Sequence, residues 1–315
     1  MRHVLSIIAI TLAPCLASSA FGWGCDGHQT VALIARAHLT PAVSAAVDDL
    51  LRANPIDAAL NRYCKDRPDD LMADAATWAD DFRITSGNPW HFVDVPRSVT
   101  SRTSLDPWCP PIGPSVGGKD APGCVVNAID YQLAILRDKS AAAAARATAL
   151  RYVIHFLGDI HQPLHDIDNH DQGGNCTTMQ FNGDDRLTNL HTIWDSRLIR
   201  SELESRKLTD TTYAAALDAR FAAKYDSLAA EPVDDPAAWA WESNALARSV
   251  AYGNLEPGLP VFQSGPELVC ASEREKAQAL HIVIGEAYIA KALPVIDEQL
   301  ATAGFRLAYL LNAAF

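Results

Sequence analysis

The segment His155-Phe-Leu-Gly-Asp159-Ile-His-Gln-Pro-Leu-His165 decides how this chain folds and what it can bind. His155 and Asp159 are four residues apart in an apolar, helix-forming run, so they are predicted to share one face of a helix. The proline that follows is expected to break the helix, and the turn can bring His165 back toward the same centre. A buried imidazole and carboxylate carry a large desolvation cost unless they have partners, which favours a bound cation.

Further histidine and aspartate residues lie in short apolar motifs on either side of this segment. His191 and Asp195 repeat the spacing of four, and Trp78-Ala-Asp80-Asp81 is predicted to lie on a helix. His91-Phe-Val-Asp94 follows with an alternation typical of a strand. Each motif alone is compatible with a capping residue or a surface ion pair. Together they predict a multinuclear metal site, and a set of nitrogen and oxygen ligands suits Zn²⁺.

The composition indicates a folded, acidic protein. The chain has 315 residues, of which 49% are hydrophobic, enough for a sizeable core. Its 26 basic residues are outnumbered by 38 acidic ones, for a formal net charge of -12. This balance argues against a broad basic surface for nucleic acid. If the protein binds phosphate groups, the positive charge must come from something other than lysine and arginine.

The first 22 residues have the pattern of a signal peptide. Arg2 precedes an apolar run at 4–16, and small residues end at Ala20-Phe21-Gly22, so cleavage is expected after Gly22. The run is short for a membrane span, and no later segment reaches the twenty or so apolar residues that one needs. We therefore expect an exported protein, periplasmic or secreted, without stable membrane association.

The cysteines are expected to form disulfide bonds. Cys15 leaves with the signal peptide, and Pro14 before it disfavours the alternative that Cys15 carries a lipid anchor. An even number of cysteines remains in an oxidising compartment, which allows fifteen pairings for six residues. Cys109 and Cys124, which flank a short Pro/Gly-rich loop, are the favoured local pair. The remaining cysteines are Cys25, Cys64, Cys176 and Cys270.

Periodicity predicts a mostly α fold, a single-domain arrangement of many helices over residues 23–315. A Pro- and Gly-rich stretch at 96–123 is expected to be a long surface loop, and one β-hairpin is expected where 176–181 returns after Asn182-Gly183. The predicted helices are 29–39, 41–54, 71–84, 125–139, 141–159, 192–203, 212–228, 237–252, 273–292 and 295–311.

In their order and spacing, these motifs resemble the trinuclear-zinc, single-strand nucleases of the S1/P1 type. The resemblance runs from Trp23-Gly-Cys-Asp-Gly-His28 through Gly173-Gly-Asn175 and Asn189-Leu-His191 to Gly304-Phe-Arg-Leu-Ala308. It covers nearly the whole mature chain. It implies a multi-helix fold with a small hairpin, related to that of zinc phospholipase C.

The resemblance also implies a set of ligands for three Zn²⁺ ions per chain. Cleavage before Trp23 would itself create a ligand, because the α-amine and carbonyl of the new N-terminus bind zinc in this family. Asp159 would bridge two ions, since its two oxygens can serve metals roughly 3.5 to 4 Å apart. The implied sets are Asp80, His91, His155 and Asp159 for the first ion, His165, His191 and Asp195 for the second, and Trp23, His28 and Asp159 for the third. His161 is implied not to be a ligand, and His38, His170 and His281 lie in no motif.

The activity implied by the resemblance is hydrolysis of phosphodiester bonds in single-stranded DNA and RNA. A hydroxide activated between the zinc ions would attack phosphorus, oriented in part by Asp80, and leave 5′-phosphorylated products. Arg83 would contact the scissile phosphate, Phe92 would stack on a base, and Asp94 would accept hydrogen bonds from its edge. Activity on 3′-nucleotides is a further implication. No second nucleotide-binding aromatic is identifiable in 183–189, and a monomer is expected.

Two alternatives remain open at this point. A zinc phospholipase C would use a similar ligand set on lipid phosphodiesters. Two features favour the nuclease: the sequence Phe92-Val-Asp94, and Asp195 at a position where a phospholipase would be expected to carry glutamate. An exported zinc-binding protein without turnover would keep the ligands and lack activity. Removal and return of zinc would distinguish it from an enzyme.

Overall fold

The computed structural model describes residues 23–86, 89–113, 121–228, 234–255, 258–259 and 282–315, with the side chains of 83–86 left out. The helices in this part are α1 (Cys25–Ala37), α2 (Pro41–Ala53), α3 (Leu71–Ala75), α4 (Trp78–Ser86), α5 (Val125–Arg137), α6 (Ala143–Asp159), α7 (Leu190–Thr192), α8 (Leu198–Arg206), α9 (Asp210–Leu228), α10 (Pro236–Leu246) and α11 (Glu286–Ala314). Short 3₁₀ turns lie at Pro89–His91 and Pro163–His165, and π-helical turns at Ile193–Arg197 and Ala247–Ala251. The predicted mostly α fold is confirmed.

The core lies where α1, α6 and α11 meet. Every residue of α6 from Ala149 to its last residue is buried, so this helix has no solvent face over its second half. It packs against α5, and α11 packs against α1 and α9. Gly304 allows the close approach of α11 to α1, because a Cβ atom there would lie 2.6 Å from Ile34. The predicted ligands His155 and Asp159 therefore lie on the most buried of the described helices.

The last helix differs from its prediction. Two helices separated by Pro294 were expected, but α11 is continuous and contains Pro294. A proline inside a helix removes one hydrogen bond at a cost of about 3 kcal/mol, and the packing of α11 on α1 and α9 outweighs it here. A helix had been predicted at 273–292. Residues 282–285 are not helical, and 273–281 lie outside the described residues.

A small sheet leads into α7, which contains the predicted ligand His191. Strands β1 (Thr178–Phe181) and β2 (Leu187–Asn189) pair antiparallel, and β3 (Val283–Ile284) adds to β1 in parallel. The predicted hairpin is confirmed, and Asn182 and Gly183 have the positive φ angles, 45° and 78°, expected of that turn dipeptide. The third strand was not predicted, because it comes from a distant segment. β2 leads directly into α7, where Asn189 caps the helix by accepting from the Thr192 amide.

Other predicted elements are interrupted at positions that sequence periodicity did not show. The helix predicted at 71–84 is α3 and α4, with a break at 76–77, and the one at 192–203 contains a π-helical turn. The segment 91–94 is not a strand in a sheet. It begins in the 3₁₀ turn that ends at His91 and alternates in burial as far as Asp94, and the Val93 amide donates to the carbonyl of His165 at 2.8 Å.

Disulfide bonds fix two regions near the ends of helices. The predicted Cys109–Cys124 bond is present, and Cys25–Cys64 ties the start of α1 to the segment before α3. Cys176 is also disulfide-bonded. In the part of the chain that the structure describes, no helix has both the length and the apolar character needed to cross a membrane.

Candidate metal centre

Histidine and aspartate side chains from five segments converge at the C-terminal end of α6. In each of three groups the potential ligand atoms lie within 4.8 Å of one another, and every member is buried. Numbered as the three predicted ions are, the first group is Asp80, His91 and His155, the second is His165, His191 and Asp195, and the third is His28, His155 and Asp159. The structure therefore brings together all the predicted histidine and aspartate ligands.

The first group surrounds one oxygen of Asp159. Asp159 Oδ2 lies 2.9 Å from His91 Nδ1 and 3.1 Å from His155 Nε2. Asp80 Oδ1 completes the group at 3.7 Å from His91 Nδ1 and 3.5 Å from His155 Nε2. Ligand atoms that sit about 2.0 to 2.2 Å from a tetrahedral zinc are roughly 3.3 to 3.6 Å apart. The spacing of these four atoms fits one such ion.

In the second group, two histidine nitrogens face each other. His165 Nε2 and His191 Nε2 are 3.2 Å apart, and Asp195 Oδ2 lies 3.4 Å from His191 Nε2. The Nδ1 atoms of both rings are 2.6 to 2.7 Å from the backbone carbonyls of His91 and Gly173, so each Nδ1 carries the proton and donates it. Both Nε2 atoms then carry lone pairs. Either a proton or a metal cation between the two Nε2 atoms would stabilise this close approach, and two imidazoles with one carboxylate suit Zn²⁺.

The third group lies on the other oxygen of Asp159. Asp159 Oδ1 is 3.4 Å from His28 Nε2, and neither atom has a hydrogen-bond partner among the described residues. Buried polar atoms without partners are rare in folded proteins and costly. Gly158 provides the space for the His28 ring, since a Cβ atom there would lie 2.5 Å from His28 Nδ1. The two oxygens of Asp159 thus face two different groups.

Trp23, the first residue of the predicted mature chain, lies beside the third group. Its side chain is fully buried and packs against Gly27 and Gly158. The amide of Gly24 donates to the backbone carbonyl of Asp195 at 2.8 Å. Residues 23–24 are therefore held between His28 and the second group.

The electrostatics of the first group favour a bound positive charge. Burial alone raises the pKa of Asp159, but the charge of His155 and hydrogen bonds from neighbouring histidines outweigh it and hold that pKa well below its ordinary value. Burial lowers the pKa of His155, yet Asp159 and Asp80 together raise it well above the ordinary value. For His91, burial is the largest effect and lowers the pKa to about 4, so this ring is uncharged at neutral pH.

The residues predicted to bind substrate are only partly placed. Phe92 is half-buried and Asp94 is exposed, directly after His91. Arg83 lies on α4, three residues after Asp80, and its side chain is outside the described part of the structure.

Among the described residues, His38, His161 and His170 lie outside the three groups, as predicted for His161. His161 Nδ1 lies 2.8 Å from the carbonyl of Leu157, and its Nε2 accepts from Arg306 at 2.9 Å. His38 pairs with Asp218 at 2.6 Å. His281 lies outside the described residues.

Several residues that shape the site were missed by sequence reasoning. Gln162 is fully buried and donates to the Asp195 carboxylate at 2.6 Å. The carbonyl of Ala76 orients His155 by accepting from Nδ1 at 2.7 Å. The only signal for Gln162 was its position between two predicted ligands, and a backbone carbonyl leaves no signal in a sequence.

Comparison with known proteins identifies the family. The sequence profile described as "S1/P1 Nuclease" matches residues 23–315. The chain is 30% identical to "Nuclease S1" of Aspergillus oryzae over 327 residues, which covers 99% of this chain and 98% of that protein. It is 26% identical to "Nuclease P1" of Penicillium citrinum, covering 92% and 97%. It is 28% identical to "Endonuclease 2" of Arabidopsis thaliana, covering 99% and 97%. The profile and the ligand geometry agree, and the chain belongs to the S1/P1 nuclease family.

Proposed function

We propose that the protein is a zinc-dependent endonuclease that hydrolyses phosphodiester bonds in single-stranded DNA and RNA and leaves 5′-phosphates. The observation that carries this proposal is the convergence of three groups of buried ligand atoms on the end of α6. A nuclease that carries a net charge of -12 needs a concentrated source of positive charge for its substrate. Three divalent ions at one place would provide it.

The proposed ligands follow the three groups. Two observations support them. The Nε2 atoms of His165 and His191 face each other, and the Asp159 carboxylate has one oxygen in each of two groups. We assign the first ion to Asp80, His91, His155 and Asp159, the second to His165, His191 and Asp195, and the third to Trp23, His28 and Asp159.

The chemistry that bound zinc supplies to such a site is Lewis-acid polarisation of the phosphoryl group and a lowered pKa of water. Asp80 can accept a hydrogen bond from the attacking water and orient it, as well as ligate. Arg83, on the same helix as Asp80, would hold the scissile phosphate with its guanidinium group. Together, Asp80 and Arg83 would hold the phosphodiester bond beside the three groups.

Substrate selection would depend on Phe92 and Asp94, at the edge of the first group. The half-buried ring of Phe92 offers a face on which any base can stack, and the exposed Asp94 carboxylate can accept from a base edge. Stacking needs an unpaired base, so single strands would be preferred to duplexes. A stacking face does not read the 2′-hydroxyl, so DNA and RNA should both be cleaved. Activity on 3′-nucleotides belongs to the same proposal.

We also propose that the protein works outside the cytoplasm, as one domain from Trp23 to the C-terminus. Residues 1–22, outside the described part of the structure, would be removed as a signal peptide. Disulfide bonds in the structure support an oxidising compartment. The burial of Trp23 beside His28 supports the cleavage site. The proposed form is a monomer without stable membrane association.

The proposal is tested with the purified mature protein and three substrates. Single-stranded DNA, the same sequence as a duplex, and phosphatidylcholine vesicles are compared at equal enzyme concentration. We expect rapid cleavage of the single strand, slower cleavage of the duplex, and products that a 5′-phosphate-dependent exonuclease can degrade. A preference for phosphatidylcholine would identify a phospholipase, and absence of any turnover with zinc present would identify a binding protein.

A further inference from the structure

Gln162 lies in the tight turn between Asp159 and His165, which are proposed ligands of different zinc ions. Its side chain is fully buried. Its backbone amide donates to the carbonyl of Asp159 at 2.9 Å, and its carbonyl accepts from the amide of His165 at 2.9 Å. The backbone of this one residue therefore sets the distance between the two ligands.

The side-chain amide of Gln162 makes two further hydrogen bonds. Nε2 donates to Asp195 Oδ1 at 2.6 Å, and Oε1 accepts from the amide of Leu164 at 2.6 Å. The chemistry of the partners fixes the orientation of the amide, because an ionised carboxylate only accepts and a backbone N–H only donates. One side chain thus joins a ligand from the π-helical turn to the 3₁₀ turn that carries His165.

We propose that Gln162 is a positioning residue that sets the zinc affinity of the second group. By holding Oδ1 of Asp195, it leaves Oδ2 facing His191 Nε2 at 3.4 Å. By accepting from Leu164, it fixes the turn on which His165 stands. Hydrogen bonds to ligands from such outer partners typically contribute 10- to 100-fold to metal affinity. The inference rests on the proposed assignment of the second ion.

The donor half of the amide argues that Gln162 does more than cap the start of the 3₁₀ turn at Pro163–His165. A helix cap needs only an acceptor, and serine, threonine, aspartate or asparagine commonly supply it. Gln162 also has a donor, which reaches the carboxylate of Asp195, a residue 33 positions away in sequence. Glutamate would keep the size and the acceptor but place a second negative charge against Asp195. Methionine would keep the size and remove both hydrogen bonds.

The test compares the zinc affinity of Gln162→Glu, Gln162→Met and the wild type. Each mature protein is stripped of metal, then equilibrated in chelator-buffered Zn²⁺ over several decades of concentration, and bound zinc is measured by mass spectrometry. We expect one ion of three to bind 10- to 100-fold more weakly in both variants, and more weakly with glutamate than with methionine. Cleavage of single-stranded DNA should return when zinc is raised by the same factor. The other two ions should bind as in the wild type.

A control separates positioning from general damage to the core. Gln132 is a buried glutamine of α5, so Gln132→Glu and Gln132→Met impose the same chemical changes elsewhere. These controls should bind three ions with unchanged affinity, even if their melting temperature falls.

If the Gln162 variants bind all three ions as tightly as the wild type does, Gln162 has no positioning role, whatever the stability of the variants. If Gln162→Glu does not fold, the methionine variant decides, because it adds no charge. A wild type that binds fewer than three ions would instead contradict the proposed ligand assignment. The two failures are therefore distinguishable.

Discussion

Asp159 has the most demanding role of any single residue in the site. Its two carboxylate oxygens face different groups, with Oδ2 at 2.9 Å from His91 Nδ1 and Oδ1 at 3.4 Å from His28 Nε2. An amide of the same shape cannot replace both oxygens, because one becomes an NH₂ group that repels a cation. The role of this residue is therefore testable with an isosteric change.

Asp159→Asn should lower the zinc content below three ions per chain and reduce cleavage of single-stranded DNA by about 100-fold or more. Zinc is measured by mass spectrometry after dialysis, and cleavage by product release. Asp218→Asn, a change at an aspartate that pairs with His38 away from the site, is the matched control. A mutant with three ions and full activity would show that Asp159 does not bridge.

His155 makes zinc binding depend on pH. The carboxylates of Asp159 and Asp80 raise its pKa well above the ordinary value, so the metal-free protein holds a proton there at neutral pH. Zinc must displace that proton, and its affinity should therefore fall as pH falls. In the metal-free protein, the raised pKa stabilises the fold below the ordinary histidine pKa, and this contribution is lost as pH rises through the raised value.

Calorimetry in two buffers of different ionisation enthalpy measures this effect. We expect zinc binding to release protons near neutral pH, and zinc to be lost more readily on dialysis at pH 5 than at pH 8. Binding without proton release, with the same affinity at both pH values, would contradict the charge state inferred for His155.

The sequence predicted which histidines and aspartates come together at the end of α6, but not the contacts that support them. Histidine and aspartate four residues apart carry a recognisable signal, because an α-helix places them on one face. Gln162 acts on Asp195 across 33 positions, and no local pattern encodes that contact. The same holds for the carbonyl of Ala76, which orients His155.

Among the elements, α11 supports the turn that follows α6. Arg306 donates to His161 Nε2 at 2.9 Å, pairs with Glu242 at 2.9 Å, and lies over the ring of Trp239. His161 is buried in the turn two residues after Asp159. This contact gives the C-terminal motif a structural role, beyond the close approach at Gly304.

Arg306→Met should lower the free energy of unfolding by about 1 to 3 kcal/mol, because it leaves His161 Nε2 buried without its donor. Urea unfolding of the metal-free protein measures the change. Arg200→Met, at an arginine whose side chain is 58% exposed, should change stability by no more than about 0.5 kcal/mol. Equal effects of the two substitutions would show that the contact with His161 adds little.

Element boundaries show what periodicity could and could not predict. The helices at 125–137 and 143–159 begin and end close to their predicted positions, because apolar spacing and flanking residues agree there. Pro294 was wrongly predicted to end a helix, because local propensity was outweighed by the packing of α11. The π-helical turn at Ile193–Arg197 was likewise missed, since a turn this short leaves no periodicity of its own in the sequence.

At the scale of the whole molecule, formation of the third metal site would depend on where the signal peptide is cleaved. Trp23 is buried against Gly27 and Gly158, and Gly24 is bound to the carbonyl of Asp195. An N-terminal amine at Trp23 would join the third group only if cleavage occurs after Gly22. The acidity of the chain then has a clear meaning, because six positive charges from three ions would be concentrated where phosphate binds.

A protein with one extra glycine before Trp23 should lose the third ion and most of its activity. Zinc content and cleavage rate are compared with those of the mature protein, with both N-termini checked by mass spectrometry. An extra glycine at the C-terminus, after Phe315, is the control of equal length. Unchanged zinc content in the N-terminal variant would show that the terminal amine is not a ligand.

The most direct test of the central claim is a zinc titration of the metal-free mature protein, followed by its cleavage of single-stranded DNA. We predict no cleavage without metal, and a cleavage rate that rises to a plateau as the third equivalent of Zn²⁺ binds. Full cleavage in the presence of EDTA, or a plateau reached with one ion bound, would contradict it.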